Sequence, residues 1–312
     1  MIATALVLAL CIDWALGWPD TLYRRIGHPV TWMGAGIDLC DRWLNRNGAA
    51  TRARVGAGAV TVLVVIGISA GLAHIVVALL PGGIAGTVIL AVLAWPFLAA
   101  RSLGDHVGDV HHPLALGDLE AARAAVAKIV GRDVAALDDA GIARASLESL
   151  AENTSDGVVA PLVWGAVLGL PGLVGYKAVN TLDSMIGHRT EHHAAFGYVA
   201  ARLDDLVNLI PARLTAAIYA ILSARPRDTL RIVWRDAGLH RSPNAGWPEA
   251  ALAAALGIRL SGPRVYGETR VEEPWVNAAG RDPGADEVAL GLAHYRRLLV
   301  VLAAGLALLA LI

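Results

Sequence analysis

Three short stretches hold most of the side chains able to do chemistry. The first contains Arg144, Glu148, Glu152, Asn153, Ser155 and Asp156. The second contains Lys177, Asn180, Asp183, Ser184, His188, Arg189 and Glu191, and the third Arg202, Asp204, Asp205, Asn208 and Arg213. Paired carboxylates beside carbonyl-type side chains suit a hard cation such as Mg²⁺, which keeps several waters and bridges substrate phosphates. Lysine and arginine supply the fixed positive charge that phosphate oxygens require. A carboxylate within reach of an amine can take its proton.

Each stretch also has a structural explanation. Arg144, Glu148 and Glu152 have the i, i+4, i+8 spacing of a salt ladder on one helical face. Lys177 follows an apolar run and is placed to snorkel to a membrane interface. Arg202 and Arg213 would neutralise the two adjacent aspartates. Position favours chemistry, because Glu152 and Asp156 abut an uncharged apolar segment, where an ionised group is costly and by default functional. Lys177, Asn180 and Ser184 share a helical face with Asp183 beside it.

His188, His192 and His193 suggest a metal, but the carboxylate-rich surroundings and the lack of a Cys or His partner motif argue against zinc. Two loops are weaker candidates: Gly27-His28-Pro29-Val30, and the 240–246 segment with Ser242 and Asn244. A polar loop feeding a helix N-terminus offers N–H groups to an anion, although such clusters also mark ordinary turns. No glycine-rich phosphate loop, dinucleotide fingerprint or nucleophile elbow occurs in a supporting context. A nucleotide must therefore be held by dispersed Arg, Lys and Mg²⁺.

The elements that position these groups are membrane helices. Hydrophobic residues make up 56% of the 312 and charged residues only 17%, whereas a soluble domain carries about a quarter charged. The formal net charge of -1 leaves no basic footprint for nucleic acid. Cys11 and Cys40, one in an apolar stretch and one in a polar loop, do not make a disulfide framework. Of the 26 basic residues, only Lys128 and Lys177 are lysines.

A span needs about 17 to 25 mostly apolar residues, and the windows that qualify are 1–18, 55–80, 84–100, 157–176, 206–224 and 298–312. The first lacks a positive leader region and a small-residue cleavage site, so it reads as an anchor. Pro81-Gly82-Gly83 turns the second window into the third. Pro161 and Pro171 break the fourth, and Pro211 and Arg213 the fifth, which favours re-entrant over crossing segments. Six arginines in 19–54, from Arg24 to Arg54, put that loop in the cytoplasm, and 101–156 and 225–297 with it. The expected architecture is an all-α, polytopic membrane domain spanning 1–312. It carries a cytoplasmic helical insert (101–156), a cytoplasmic loop region with one short helix (225–297) and broken or re-entrant segments. Within the insert a helix is expected over 118–130, a break at Gly131-Arg132-Asp133, and a second helix through Asn153. Pro248 and Gly257 frame the short helix. No strand is evident.

The ordered blocks Glu148-Ser149-Leu150-Ala151-Glu152-Asn153-Thr154-Ser155-Asp156-Gly157, Lys177-Ala178-Val179-Asn180-Thr181-Leu182-Asp183-Ser184-Met185-Ile186-Gly187 and Ala201-Arg202-Leu203-Asp204-Asp205-Leu206-Val207-Asn208 closely resemble the CobD/CbiB family of cobalamin biosynthesis. So do His28-Pro29-Val30, Ile129-Val130-Gly131-Arg132-Asp133 and Ser242-Pro243-Asn244-Ala245-Gly246, so that the likeness covers nearly the whole chain. Trp18, Val134 and Val163 depart from residues frequent in the family, and none lies in the three polar blocks.

The resemblance implies an adenosylcobinamide-phosphate synthase in the bacterial inner membrane with its active site facing the cytoplasm. Such an enzyme joins adenosylcobyric acid to (R)-1-amino-2-propanol phosphate, or to aminopropanol, with ATP as co-substrate and Mg²⁺ as cofactor. On this basis Asp183, Asp204 and Asp205 are assigned to Mg²⁺, and Arg132, Lys177, Asn180, Arg189 and Arg202 to phosphate or nucleotide. Glu148, Glu152 and Asp156 are assigned to amine binding or deprotonation, Lys177 to catalysis, and His28, Ser242 and Asn244 to substrate. The bilayer is a partner, nucleic acid is not, and a homo-oligomer or association with other membrane enzymes of the pathway is compatible with the assignment. The competing reading is a corrinoid-binding membrane transporter or scaffold.

Overall fold

Proline, glycine and short acidic side chains punctuate the chain where its helices begin and end. In chain order the helices are α1 (Ile2–Leu16), α2 (Asp20–Ile26), α3 (Pro29–Leu44), α4 (Thr51–Ala78), α5 (Gly83–Ala94), α6 (Ala100–Ala115), α7 (Leu119–Val126), α8 (Asp139–Thr154), α9 (Ala160–Ile186), α10 (Tyr198–Val207), α11 (Leu209–Leu222), α12 (Pro226–Asp236), α13 (Gly246–Leu256) and α14 (Ala285–Leu309). This computed structural model describes residues 1–46, 48–131, 133–188, 190–266 and 269–312. Among the described residues, four short strands, β1 (Leu260–Ser261), β2 (Arg264–Tyr266), β3 (Thr269–Val271) and β4 (Trp275–Val276), pair antiparallel as β1 with β4 and β2 with β3. They depart from the helical expectation because segments this short carry no alternation to read.

The helix boundaries follow local chemistry. Asp118 caps α7 by accepting from the Ala121 N–H at 3.0 Å, and Asp138 caps α8 by accepting from Gly141 N–H at 2.7 Å, each satisfying a donor the helix leaves unpaired. The helix expected over 118–130 is thus present as the shorter α7, and its successor as α8. Gly257 ends α13 in the left-handed region with φ 68°, while α13 begins at Gly246, ahead of Pro248.

Thr51–Ala78, Gly83–Ala115, Asp139–Ile186 and Ala285–Leu309 are helical runs long and apolar enough to cross a membrane. Among the described residues, two bent pairs, Ile2–Leu16 with Asp20–Leu44 and Tyr198–Val207 with Leu209–Leu222, raise the count from 4 to 6 where each pair is one span. The chain is a multi-pass helical membrane protein. The breaks expected in 157–176 take the form of a π-turn at Ser155–Val159 and of Gly169, whose φ of 72° interrupts α9 before Pro171. The 19–54 stretch is not the loop expected: it folds as α2 and α3, which places Cys40 on a helix. His28 and Thr31 form a capping box with Pro29 at the first helical position, and Met33 and Ile37 recur at helical spacing to reach the core.

The chain divides into two compact units, Met1–Ala99 with Ala160–Asn208 and Gly305–Ile312, and Ala100–Val159 with Leu209–Ala304. In the first, α4 and α9 pack along each other, flanked by α3 and α10. Ile37, Val62, Val65, Leu182, Ile186 and Phe196 form the core there. The side of α4 turned away from this core presents Val60 and Leu63 outward, as lipid-facing helices do.

The second unit takes in both the 101–156 and the 225–297 segments. Ile142, Leu147 and Leu150 of α8 are fully buried, and α13 packs against α8, α11 and α12. Ser261 and Asn277 both adopt positive φ, 58° and 51°, a conformation costly for residues with a Cβ. Buried carboxylates hold them there: Ser261 N–H donates to Glu148 Oε1 at 2.8 Å, and Asn277 N–H to Asp236 Oδ2 at 2.7 Å.

Asp282 accepts from Arg259 at 2.6 Å and from Arg144 at 2.8 Å, and both guanidinium groups lie over the Trp275 ring. Hydrogen bonding from Arg259, with a smaller contribution from Arg144, pushes the Asp282 carboxyl down to about 2. A depressed carboxylate stabilises the fold above its unfolded-state pKa of about 3.9, and that stabilisation is lost as pH falls toward the folded value. Near-UV circular dichroism from the Trp275 environment should therefore decline between about pH 4 and pH 2. Asp282→Asn should lack this step.

Candidate functional site

The first unit carries Lys177, Arg202 and the three aspartates assigned to Mg²⁺. Lys177 lies on α9, half-buried, and its Nζ donates to Asn180 Oδ1 one turn on at 3.3 Å. Ser184 Oγ donates to the Asn180 carbonyl at 2.8 Å, so the expected face of α9 is real. His28 lies within electrostatic reach of Lys177. Its Nδ1 accepts from Val30 N–H at 3.2 Å, which puts the proton of the neutral ring on Nε2. Its ring meets Trp18 edge-on at 4.8 Å. Next to Pro29 opens an apolar cleft of about 760 Å³ lined by Trp18, Trp32, Trp95, Leu170 and Val174. Walls of hydrocarbon and indole accept apolar groups.

The three aspartates assigned to one ion do not converge. Among the described residues, the one group of three His, Cys, Asp or Glu ligand atoms within 4.8 Å of one another lies elsewhere, at Asp41, His192 and His193. Neighbours on a helix point about 100° apart, and this separates Asp204 from Asp205. Asp204 Oδ2 accepts from Asn208 Nδ2 at 3.0 Å, and Asn208 Oδ1 accepts from the buried Tyr176 hydroxyl at 2.9 Å. Asp205 turns to Arg202 at 3.2 Å, and its charge acts on Asp183 together with that of His188. Of the other two aspartates, Asp205 is the one whose charge acts on Asp183. Two hard oxygen ligands fit Mg²⁺, which takes its remaining ligands from water and phosphate.

Gly187 had no assigned role, yet a Cβ there would lie 2.0 Å from Asp183 Oδ1. The missing side chain lets the Asp183 carboxylate fold against the end of α9. Gly187→Ala should displace it and raise the Mg²⁺ concentration for half-maximal activity about 10-fold, read by titrating activity with Mg²⁺. Arg132 and Arg189 lie outside the described residues.

The second unit holds the other candidates. The salt ladder on α8 does not form, because Arg144 pairs with Asp282 and the buried Glu148 takes the Ser261 N–H. Glu148 is thereby a structural anchor for β1. Glu152 is exposed on the last turn of α8, and Asp156 is half-buried in the π-turn that follows. Arg213 does not neutralise the aspartates: it donates to the Leu209 carbonyl at 2.8 Å and to Asn244 Oδ1 at 3.3 Å, and lies 4.4 Å over the Trp247 ring. Ser242 Oγ accepts from the N–H groups of Asn244 and Ala245, each at 3.2 Å. The 240–246 loop is thus organised as a turn feeding α13, with Asn244 buried beneath it.

A family model described as CobD/Cbib protein matches residues 6–295. A "Cobalamin biosynthesis protein CobD" of Rhodobacter capsulatus is 56% identical over 295 residues, covering 95% of this chain and 93% of the relative. A Sinorhizobium protein of the same name is 49% identical over 290 residues, covering 90% of each chain, and one from Brucella suis biovar 1 is 46% identical over 285 residues, covering 88% of this chain and 86% of its own. No solved structure matches. The match runs through every polar block placed above on α8, α9 and α10, and the chain belongs to the CobD/CbiB family of cobalamin biosynthesis proteins.

Proposed function

We propose that this protein is the acid–amine ligase that joins the propionate carboxylate of adenosylcobyric acid to the amine of (R)-1-amino-2-propanol phosphate, or aminopropanol, giving adenosylcobinamide phosphate (or adenosylcobinamide) at the expense of ATP. The observation that carries the proposal is the polar face of α9, where Lys177 Nζ donates to Asn180 Oδ1 with Asp183 on the same helix beside them. A carboxylate does not react with an amine until its oxygen becomes a leaving group. Transfer of the ATP γ-phosphoryl group to the carboxylate releases ADP and forms an acyl phosphate, which the amine attacks to release phosphate.

Mg²⁺ supplies electrostatic stabilisation of the phosphoryl group when bound, and Asp183 with Asp205 would hold it. Lys177 neutralises charge on the phosphate oxygens, and Tyr176 through Asn208 orients Asp204. Glu148, Glu152 and Asp156 are the candidates to bind the ammonium and take its proton.

The test is purified protein in detergent given adenosylcobyric acid, the amine, Mg²⁺ and ATP. Stoichiometric ADP and amidated corrinoid are expected. ATP left intact, together with corrinoid uptake by proteoliposomes, would replace the ligase with a transporter.

A further inference from the structure

We infer that Asp41, His192 and His193 form a zinc-class metal site in the first unit, separate from the Mg²⁺ carboxylates. Asp41 lies near the C-terminal end of α3, and the two histidines lie between α9 and α10. The imidazole Nε2 atoms of His192 and His193 stand 3.3 and 3.4 Å from the same oxygen, Asp41 Oδ2. These separations are longer than charge-assisted hydrogen bonds, at about 2.7–2.9 Å. They match the edge of a tetrahedron with metal–ligand bonds of about 2.0–2.1 Å, which is about 3.3–3.4 Å. An octahedral site would bring the same atoms to about 3.0 Å.

Outer hydrogen bonds prepare Asp41 and His193, and others fix the backbone at His192. Asp41 Oδ1 accepts from Asn45 Nδ2 at 2.8 Å, leaving Oδ2 directed at the histidines. His193 Nδ1 faces Thr190 Oγ1 at 3.4 Å, the role of an N–H that fixes Nε2 as ligand. Asn45 Nδ2 also donates to the His192 carbonyl at 3.0 Å, and Arg54 donates to that carbonyl and, at 2.9 Å, to Asn45 Oδ1. The guanidinium thus orders the loop rather than neutralising Asp41. Asn45 Nδ2 lies 3.2 Å from His192 Nε2, a contact that metal would replace. His192 is the most exposed of the three, so the fourth position opens to water. The sequence reading against zinc weighed the histidines without this carboxylate, which comes from a segment 151 residues away.

The test uses the full chain without a polyhistidine tag, purified in detergent and stripped with chelator, then titrated with Zn²⁺ alone against a chelating indicator. One equivalent should bind, and Co²⁺ in its place should give the intense visible absorption of tetrahedral coordination. Asp41→Asn and His193→Ala should each weaken binding at least 10-fold, with ATP turnover unchanged. Hydrogen exchange in 190–197 should slow when Zn²⁺ is added to the wild type, a readout that needs no variant. Absence of tight Zn²⁺ binding in the wild type, or wild-type affinity in both variants, would overturn the site.

Discussion

Lys177→Ala is expected to remove ATP consumption and corrinoid amidation, by about 100-fold or more, while the protein stays folded. The lysine is half-buried in a chain with one other lysine. It holds Asn180, and its charge reaches His28. Its backbone carbonyl accepts from Thr181 Oγ1 at 2.7 Å, a bond that alanine keeps. A lysine that merely snorkelled would be dispensable. ADP release and product formation measured alongside thermal unfolding separate the two roles, and wild-type turnover in the alanine variant would remove Lys177 from the mechanism. Lys177→Arg should recover only part of the rate, because a planar fork does not reproduce a compact ammonium.

Gly197→Ala should be the most damaging small substitution for the first unit. The glycine has φ -79° and ψ -3°, which alanine adopts freely, so the cost is steric. A Cβ would lie 1.6 Å from the Ile186 carbonyl oxygen and 3.2 Å from Gly187 Cα. Both are backbone atoms at the end of α9, and neither can yield without moving the site. Gly58 makes the matching contact from α4, where a Cβ would meet the Phe196 carbonyl oxygen at 1.8 Å. Overpacking of this kind costs about 3 kcal/mol. Gly197→Ala should lower the unfolding midpoint in detergent and reduce activity in parallel. An unchanged midpoint would mean that the 187–197 segment accommodates the methyl group, contrary to this packing.

The helical architecture was readable because apolar length, Pro81-Gly82-Gly83 and the Asp118 cap act within a few residues of one another. So was the Lys177–Asn180–Ser184 face, which is set by helical period alone. What eluded the sequence was contact between distant segments. Arg144 chose Asp282 over Glu148, Glu148 serves Ser261, and Asp41 meets His192 and His193. Spacing on one helix predicts which pairs can meet, and competition from partners elsewhere decides which do. Asp204 and Asp205 were legible as carboxylates but not as divided in purpose, since adjacency in sequence means divergence on a helix. The strands were too short to announce themselves, and Gly187 stood inside a recognisable block without any chemical group to draw attention.

The two sides of α4 have different histories open to them. Toward the core, Gly58, Thr61, Val62 and Val65 are buried and answer to shape, so that one methylene more or less is felt. On the outward side, Val60 and Leu63 meet acyl chains that scarcely distinguish one aliphatic side chain from another. A methylene added or removed is therefore costly on one stripe of the helix and nearly free on the other, so that one segment sets two tolerances for substitution.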